Sequence, residues 1–537
     1  MNHAELLSPE NILLILSMLF VVALLTMLSN KLKISYPIFL VIAGLIISLI
    51  PGMPNMSIAP ELVFLIFLPP LLYSAAWNTA WHEFWKMRRP ISLLAFGLVI
   101  FTSSLIAMVS HIMIPDFPLA YGFLLGGIIS PPDAIAATSV LQGLRIPKRV
   151  VTILEGESLI NDASSLIVFS FALTAITKGD FVFLDAAKNF FYVVLVGILT
   201  GVAIANILYF LHRYLPTTPA IDACITLISP YIMYIVGEHF KASGVLAVVS
   251  GGLFLSYRSQ DIFSYDSRLN VYSLWDTITF MLNGIVFILI GLELPVIVKG
   301  LNGHSIQEAV FYAVIISIVT IVVRLVWIFP GAYFPRVLFK SIRKKEPVPG
   351  WRSVFLVGWS GMRGVVSLAA ALSIPLMLGG HSFPHRNLIL FITFVVILFT
   401  LVLQGLSLTP IVRWLKIESN DQESQKVQAV ALRIHLAESV LSYIDTNYSE
   451  ETNTNETYKR VRDRYERMVE VAKRKLEKEE ADEAETNFLP KYRQMLIELV
   501  HIRRRELNLF RHTGEYSEEL IRERERELDL EEARLET

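Results

Sequence analysis

Two acidic motifs lie within hydrophobic stretches of the chain, Ser-Pro-Pro-Asp at Ser130 to Asp133 and Gly-Glu-Ser-Leu-Ile-Asn-Asp at Gly156 to Asp162. A carboxylate at membrane depth is costly to keep, and it marks an ion or proton pathway. In the second motif Ser158, Asp162 and Ser165 fall at i, i+4 and i+7, one stripe of a helix, with Glu157 and Asn161 on the adjoining stripe. A carboxylate, a hydroxyl and an amide oxygen brought together are hard oxygen ligands, suited to a small cation that has shed part of its water. The same aspartate can hold a proton instead, because burial favours the neutral form and a bound cation favours the charged one. Cation and proton then compete for one site, the minimal mechanism of an antiporter. The plainer alternative is a polar stripe satisfied by neighbouring helices; ion binding is the stronger reading.

The elements that must position these groups are unusual helices. Pro131 and Pro132 remove two backbone donors from an apolar run, so the helix is predicted to break there. Broken helices at membrane depth are tolerated where they line a cavity, and their half-helix ends form ion sites. Asp133 stands at that break, either as part of the site or as the N-cap of the second half. A second interruption is predicted around Arg363, which lies among Gly358, Gly361 and Gly364. Two interrupted spans in corresponding places of two halves point to an inverted repeat with its site at the midplane. Arg363 needs a buried anion, with Glu157 or Glu155 the candidates, and a structural salt bridge is preferred over direct ion contact. Arg324 stays unassigned, with Glu293 a conceivable partner, and Asp222 is expected to reach the membrane interface.

Composition sets the setting. The 537 residues are 54% hydrophobic, with a mean hydropathy of +0.54, values that place the chain in a bilayer. Residues 1–417 carry 26 Lys+Arg and 19 Asp+Glu, whereas residues 418–537 carry 21 and 29. That shift divides a transmembrane domain, 1–417, from a helical tail, 418–537. Thirteen hydrophobic windows of about 20 residues fit the first part, the interrupted ones being the fifth, near 118–141, and the twelfth, near 351–379. With thirteen spans and an outside N-terminus, nineteen basic residues, among them Arg145, Lys344 and Lys345, fall on the inside and five on the outside. The tail is then cytoplasmic. The start of the chain lacks a basic stretch before its first apolar run, against a cleaved signal peptide. The single cysteine, Cys224, is expected to pack between helices.

Other function classes fit less well. No phosphate-binding loop, metal-ligand cluster or nucleophile arrangement stands in the sequence, so an enzyme, a primary pump or a resident cofactor is not expected. A channel would want a filter of carbonyls or charge rings, and none is present. A receptor would want an output motif in the tail. The basic residues there, Lys459, Arg460, Arg462, Arg464 and Arg503 to Arg505, are interleaved with or close to acids, which does not support nucleic acid binding.

At these residues the chain resembles the monovalent cation:proton antiporters of the NhaP and sodium/proton exchanger type. The likeness covers nearly all of residues 10 to 415. It rests on LPPLLYSAAW at 68–77, SPPDAIAATSV at 130–140, GESLINDASS at 156–165, SGVLAVVSGG at 243–252, ILIGLEL at 288–294 and GMRGVVSLA at 361–369. The resemblance implies an all-α, homodimeric, inverted-repeat bundle in the plasma membrane (the inner membrane in a bacterium), with a core domain that moves against a dimerisation domain. It implies that Asp162 is the principal cation and proton carboxylate, shaped by Asp133 and Ser158, with these three binding Na⁺ and Asn161 in the neutral place that accompanies electroneutral exchange. Glu157 and Arg363 match the family's buried ion pair. Many relatives carry an acidic residue where this chain has Ser74, so cation preference and pH dependence are open, and K⁺ or Li⁺ remain alternatives to Na⁺.

Overall fold

The computed structural model describes residues 9–50, 60–141, 144, 146–178, 183–301, 305–340, 343, 348–378, 380–417, 421–477, 483–513 and 518–536. Arg145, Lys344 and Lys345, used above for orientation, lie outside the described residues. The chain divides into two compact units, Met1–Ser419 and Asn420–Thr537.

The first unit is a helical bundle. Its opening helices are α1 (Pro9–Leu32), α2 (Tyr36–Ser48) and α3 (Pro60–Asn78). A stepped helix follows, α4 (Trp81–Lys86) and α5 (Arg88–Ser92), which passes through a wider turn at Leu93–Leu98 into α6 (Val99–Met113). Next come α7 (Leu119–Ile129) and α8 (Ala134–Leu141), the two halves of one span, then the long α9 (Lys148–Lys178) and α10 (Phe183–Tyr214). The second half runs through α11 (Pro219–His239), α12 (Gly244–Ile262), α13 (Tyr265–Leu292), the short α14 (Leu294–Lys299) and α15 (Ile306–Leu338). It ends with α16 (Trp351–Trp359) and α17 (Val365–Leu372), a second pair of half-helices, and α18 (Arg386–Leu415). Among the described residues nine helical segments are long and apolar enough to cross a membrane, the interrupted one at 119–141 among them. Exposed apolar residues along α1 (Leu16, Phe20, Met27) and α10 (Phe191, Leu195, Leu199) would face hydrocarbon rather than water.

Local chemistry explains where the helices begin. Ser243 and Ser264 accept the first free N–H groups of α12 and α13, and Ser305 with Glu308 forms a reciprocal capping box at α15. Proline stands in the first turn of α2 and α11, where its missing N–H leaves no bond unmade. In lipid, helices associate through close packing. At the crossing of α2 and α13 a Cβ on Gly44 would overlap the Ile288 carbonyl, and one on Gly291 would overlap the Val41 carbonyl, so only glycine lets the two backbones meet.

Two expectations are corrected here. Asp222 does not reach an interface: it is buried on α11 and its carboxylate meets His212 Nδ1 at 2.8 Å. Residues 212 and 222 flank a tight connection, which lets the two polar groups satisfy each other. Cys224 is exposed, because it lies on the outer face of the same helix, away from Thr226 and Ser229, which are buried.

The second unit is helical: α19 (Asp421–Asn447), α20 (Ser449–Thr454), α21 (Glu456–Glu477), α22 (Glu483–Thr513) and α23 (Glu518–Glu536). α19 and α21 bury Ile434, Ala437, Val469 and Ala472 between them, flanked by the pair Lys473–Glu438 at 2.7 Å. The arginines Arg503 and Arg504 of α22 bind Glu531, Asp529 and Glu532 of α23. Their charge is answered within the unit.

Candidate functional site

Both predicted interruptions are present, and they meet. The Asp133 N–H donates to the Met362 carbonyl at 2.6 Å, joining the break between α7 and α8 to the break between α16 and α17. Broken helices leave four uncapped ends, each carrying part of the helix dipole. Asp133 Oδ1 accepts the N–H groups of Ile135 (2.8 Å) and Ala136 (3.4 Å), capping α8, and the Val365 N–H at the start of α17 also bonds this carboxylate. One negative charge therefore serves two positive helix ends. A Cβ at Gly364 would overlap the Asp133 carboxylate, so the approach requires glycine.

The carbonyl ends are met by arginines. Arg363 Nε donates to the Ile129 carbonyl at 3.1 Å, the last residue of α7, and its Nη1 donates to Gly361. Arg324, from α15, donates to the carbonyls of Val357 and Gly358, both at 3.1 Å, at the end of α16. The same guanidinium forms a fork with Glu157 of α9, at 2.5 and 2.8 Å, both side chains fully buried.

This corrects the expected pairing. Glu157 binds Arg324, not Arg363, and Arg324 does not pair with Glu293. The face of α9 that carries Glu157 turns toward α15 and α16, whereas Arg363 sits beyond the break and spends its donors on backbone. Arg363 is not among the residues that line the neighbouring cavity.

Beside this crossing lies a cavity of about 160 Å³ lined by Asp133, Ser158, Asp162, Asn283, Ser367 and, at an exposed position, Glu155, with apolar walls from α3. It has room for several waters or one partly hydrated cation. Ser158 Oγ accepts the Ala134 N–H at 3.3 Å and holds α9 against the break. Asp162 is buried, and among the described residues its carboxylate accepts no hydrogen bond. Asn161 does not line the cavity: its Nδ2 donates to the Pro132 carbonyl at 3.3 Å, which ties the break to α9. Ser165 turns back to the Asp162 carbonyl at 2.9 Å, so it belongs to the helix rather than to the site. Ser74 is buried and hydrogen-bonded to Thr279 at 2.9 Å, outside the cavity lining.

Asn283, Ser367 and Glu155 were not singled out as site residues by sequence reasoning. Glu155 and Asn283 carried a signal, a polar group inside an apolar run. Which face they present could not be read without the neighbouring helices.

The family description "Sodium/hydrogen exchanger, transmembrane" matches residues 16–414. The chain belongs to this family. The exchanger is 30% identical over 516 residues to an uncharacterized Na(+)/H(+) exchanger of Mycobacterium bovis, covering 95% of this chain and 93% of that one. It is 34% identical over 407 residues to the sodium, potassium, lithium and rubidium/H(+) antiporter of Bacillus subtilis, covering 73% and 60%. It is 31% identical over 444 residues to the Na(+)/H(+) antiporter ApNhaP of Aphanothece halophytica, covering 81% and 80%. Among solved structures, the sodium proton antiporter MjNhaP1 of Methanocaldococcus jannaschii superposes with a TM-score of 0.60 at 18% identity, over 74% of this chain and 97% of that one. That likeness establishes the fold. The exchanger is thus a multi-pass membrane protein of a transporter family.

Proposed function

We propose that the exchanger carries one monovalent cation, sodium in the first place, against one proton, with Asp162 alternating between the two. The carrying observation is the charge balance of the crossing: Asp133 answers the two N-terminal helix ends, Glu157 answers Arg324, and Arg363 answers the end of α7. Asp162 is the buried carboxylate on the cavity lining that accepts no hydrogen bond from any described residue; Glu155, also on the lining, stands at an exposed position. A buried carboxylate in that position must be neutralised, either by a proton or by a cation. One charge is taken up in each half of the cycle, which supports electroneutral exchange. Ser158 offers a second oxygen, and Asp133, already committed to three N–H groups, shapes the site more than it binds.

The excess of basic residues on alternate loops supports an outside N-terminus, thirteen crossings and a cytoplasmic tail, and membership of the exchanger family supports a place in the plasma membrane. The dimer and the movement of a core domain rest on family resemblance. Exchange of potassium or lithium is a second reading, favoured by the Bacillus subtilis relative, whose name lists sodium, potassium, lithium and rubidium.

Proton flux in sealed proteoliposomes, with Na⁺, K⁺ or Li⁺ added in turn, tests the proposal. Cation-triggered proton movement lost in Asp162→Asn is expected. Equal flux in wild type and variant would remove Asp162 from the mechanism.

A further inference from the structure

The cavity that Asp162 lines also holds two polar groups that no described residue satisfies. Asn283, on α13, is 1% exposed, and its Oδ1 has no hydrogen-bond partner among the described residues. Ser367, in the first turn of α17, is also 1% exposed, with its Oγ unpartnered among the described residues. Both line the cavity that contains Asp162 and Ser158. A buried polar atom without a partner destabilises the fold and calls for a reason.

Structural explanations are not at hand for Asn283. One turn earlier on α13, Thr279 closes its hydroxyl onto Ser74. One residue later, Gly284 lies against Val22 of α1, so the backbone is placed by packing without help from the amide. Asn283 therefore makes no hydrogen bond to the scaffold among the described residues, yet places an amide on the cavity lining.

We propose that Asn283 and Ser367 are cation-selecting residues that contribute neutral oxygens to the ion carried by Asp162. With Ser158 they form a shell of one carboxylate and three neutral oxygens drawn from α9, α13 and α17, the donor set a partly dehydrated alkali cation requires. A proton bound to Asp162 needs none of these neutral oxygens. The two substrates of the one carboxylate are then told apart by groups that touch only one of them. The inference rests on the reading of Asp162 as the transport carboxylate.

The test is the cation dependence of proton flux in proteoliposomes for wild type, Asp162→Asn, Asn283→Ala, Asn283→Leu and Ser367→Ala, with Na⁺, K⁺ and Li⁺ as the probes. Asn283→Ala is expected to raise the half-saturating Na⁺ concentration about tenfold, the effect of losing one modest ligand, and to alter the Na⁺ to K⁺ preference. The maximal rate at saturating cation should stay near that of wild type, whereas at a fixed, subsaturating Na⁺ concentration the acid limb of the pH profile should move to higher pH, because the proton then competes better for Asp162. Ser367→Ala is expected to shift the same quantity in the same direction. Asn283→Asp, which keeps the oxygen, should restore or tighten cation binding, and it tests the idea even if the leucine variant fails to fold. Lower maximal rates with unchanged half-saturation would make Asn283 a packing residue and overturn the inference. Flux that survives in Asp162→Asn would overturn the underlying reading instead, so the two failures are distinct.

Discussion

Glu157 and Asp162 stand five residues apart on one helix, and they live in opposite circumstances. Glu157 is locked in a two-bond fork with Arg324, whose remaining donors hold the end of α16. Asp162 accepts nothing from any described residue and looks into a cavity. Burial alone therefore does not leave a carboxylate open to a mobile ion. The difference is whether the surrounding helices have already answered the charge. A paired carboxylate is part of the frame; an unanswered one beside a cavity is available to a mobile ion.

The largest effect should come from removing the unanswered group. Asp162→Asn is expected to abolish cation-driven proton exchange while leaving the melting temperature in detergent near that of wild type. A large loss of stability would erase the contrast between the two carboxylates.

Breaking the frame should do the reverse. Arg324→Met leaves Glu157 buried without its hydrogen-bonded partner, which costs on the order of 3–5 kcal/mol. Thermal unfolding in detergent should show a large drop for the single variant and a much smaller one for the double variant Glu157→Leu with Arg324→Met. Equal losses would mean that Arg324 matters mainly through the carbonyls of α16.

Gly364→Ala sharpens the comparison from the other side, because the new methyl must displace the Asp133 carboxylate that serves both half-helices. Overpacking of this kind costs about 1–3 kcal/mol. Loss of transport exceeding the loss of stability is expected, measured as maximal flux at saturating cation against melting temperature.

The smallest effect belongs to the tail, where charge pairs are open to solvent. Arg503 holds the Glu531 carboxyl below its ordinary range. Its contribution is therefore complete above the ordinary carboxylate range and is lost as the pH falls through the lowered value. Hydrogen exchange across α22 and α23 in the full-length protein should quicken only slightly in that acid window. A marked opening there would show that these pairs matter more than exposed pairs do.

Much of the site was legible in the chain. Pro131 and Pro132 cannot continue a helix, and the glycines around Arg363 weaken one, so both interruptions follow from local chemistry. The spacing of Ser158 and Asp162 placed them on one stripe, and both line the cavity. The partner of Glu157 was not legible. Arg324 and Arg363 are both buried arginines in apolar runs, and sequence spacing says nothing about which of two helices will cross α9 at that level.

What the sequence by itself determined was local or additive: apolar runs, breaks at proline and glycine, carboxylates too costly to be idle, and a charge density that separates the two units. These depend on neighbours along the chain. The tertiary structure alone decided the pairings. It set Arg324 against Glu157, 167 residues away, placed Asp133 between two helix starts, left Asp162 without a partner among the described residues, and put Asn283 and Ser367 on the lining of the same cavity. Each of those outcomes depends on the angle and depth at which separate helices cross, a property of the packed bundle and not of any one segment.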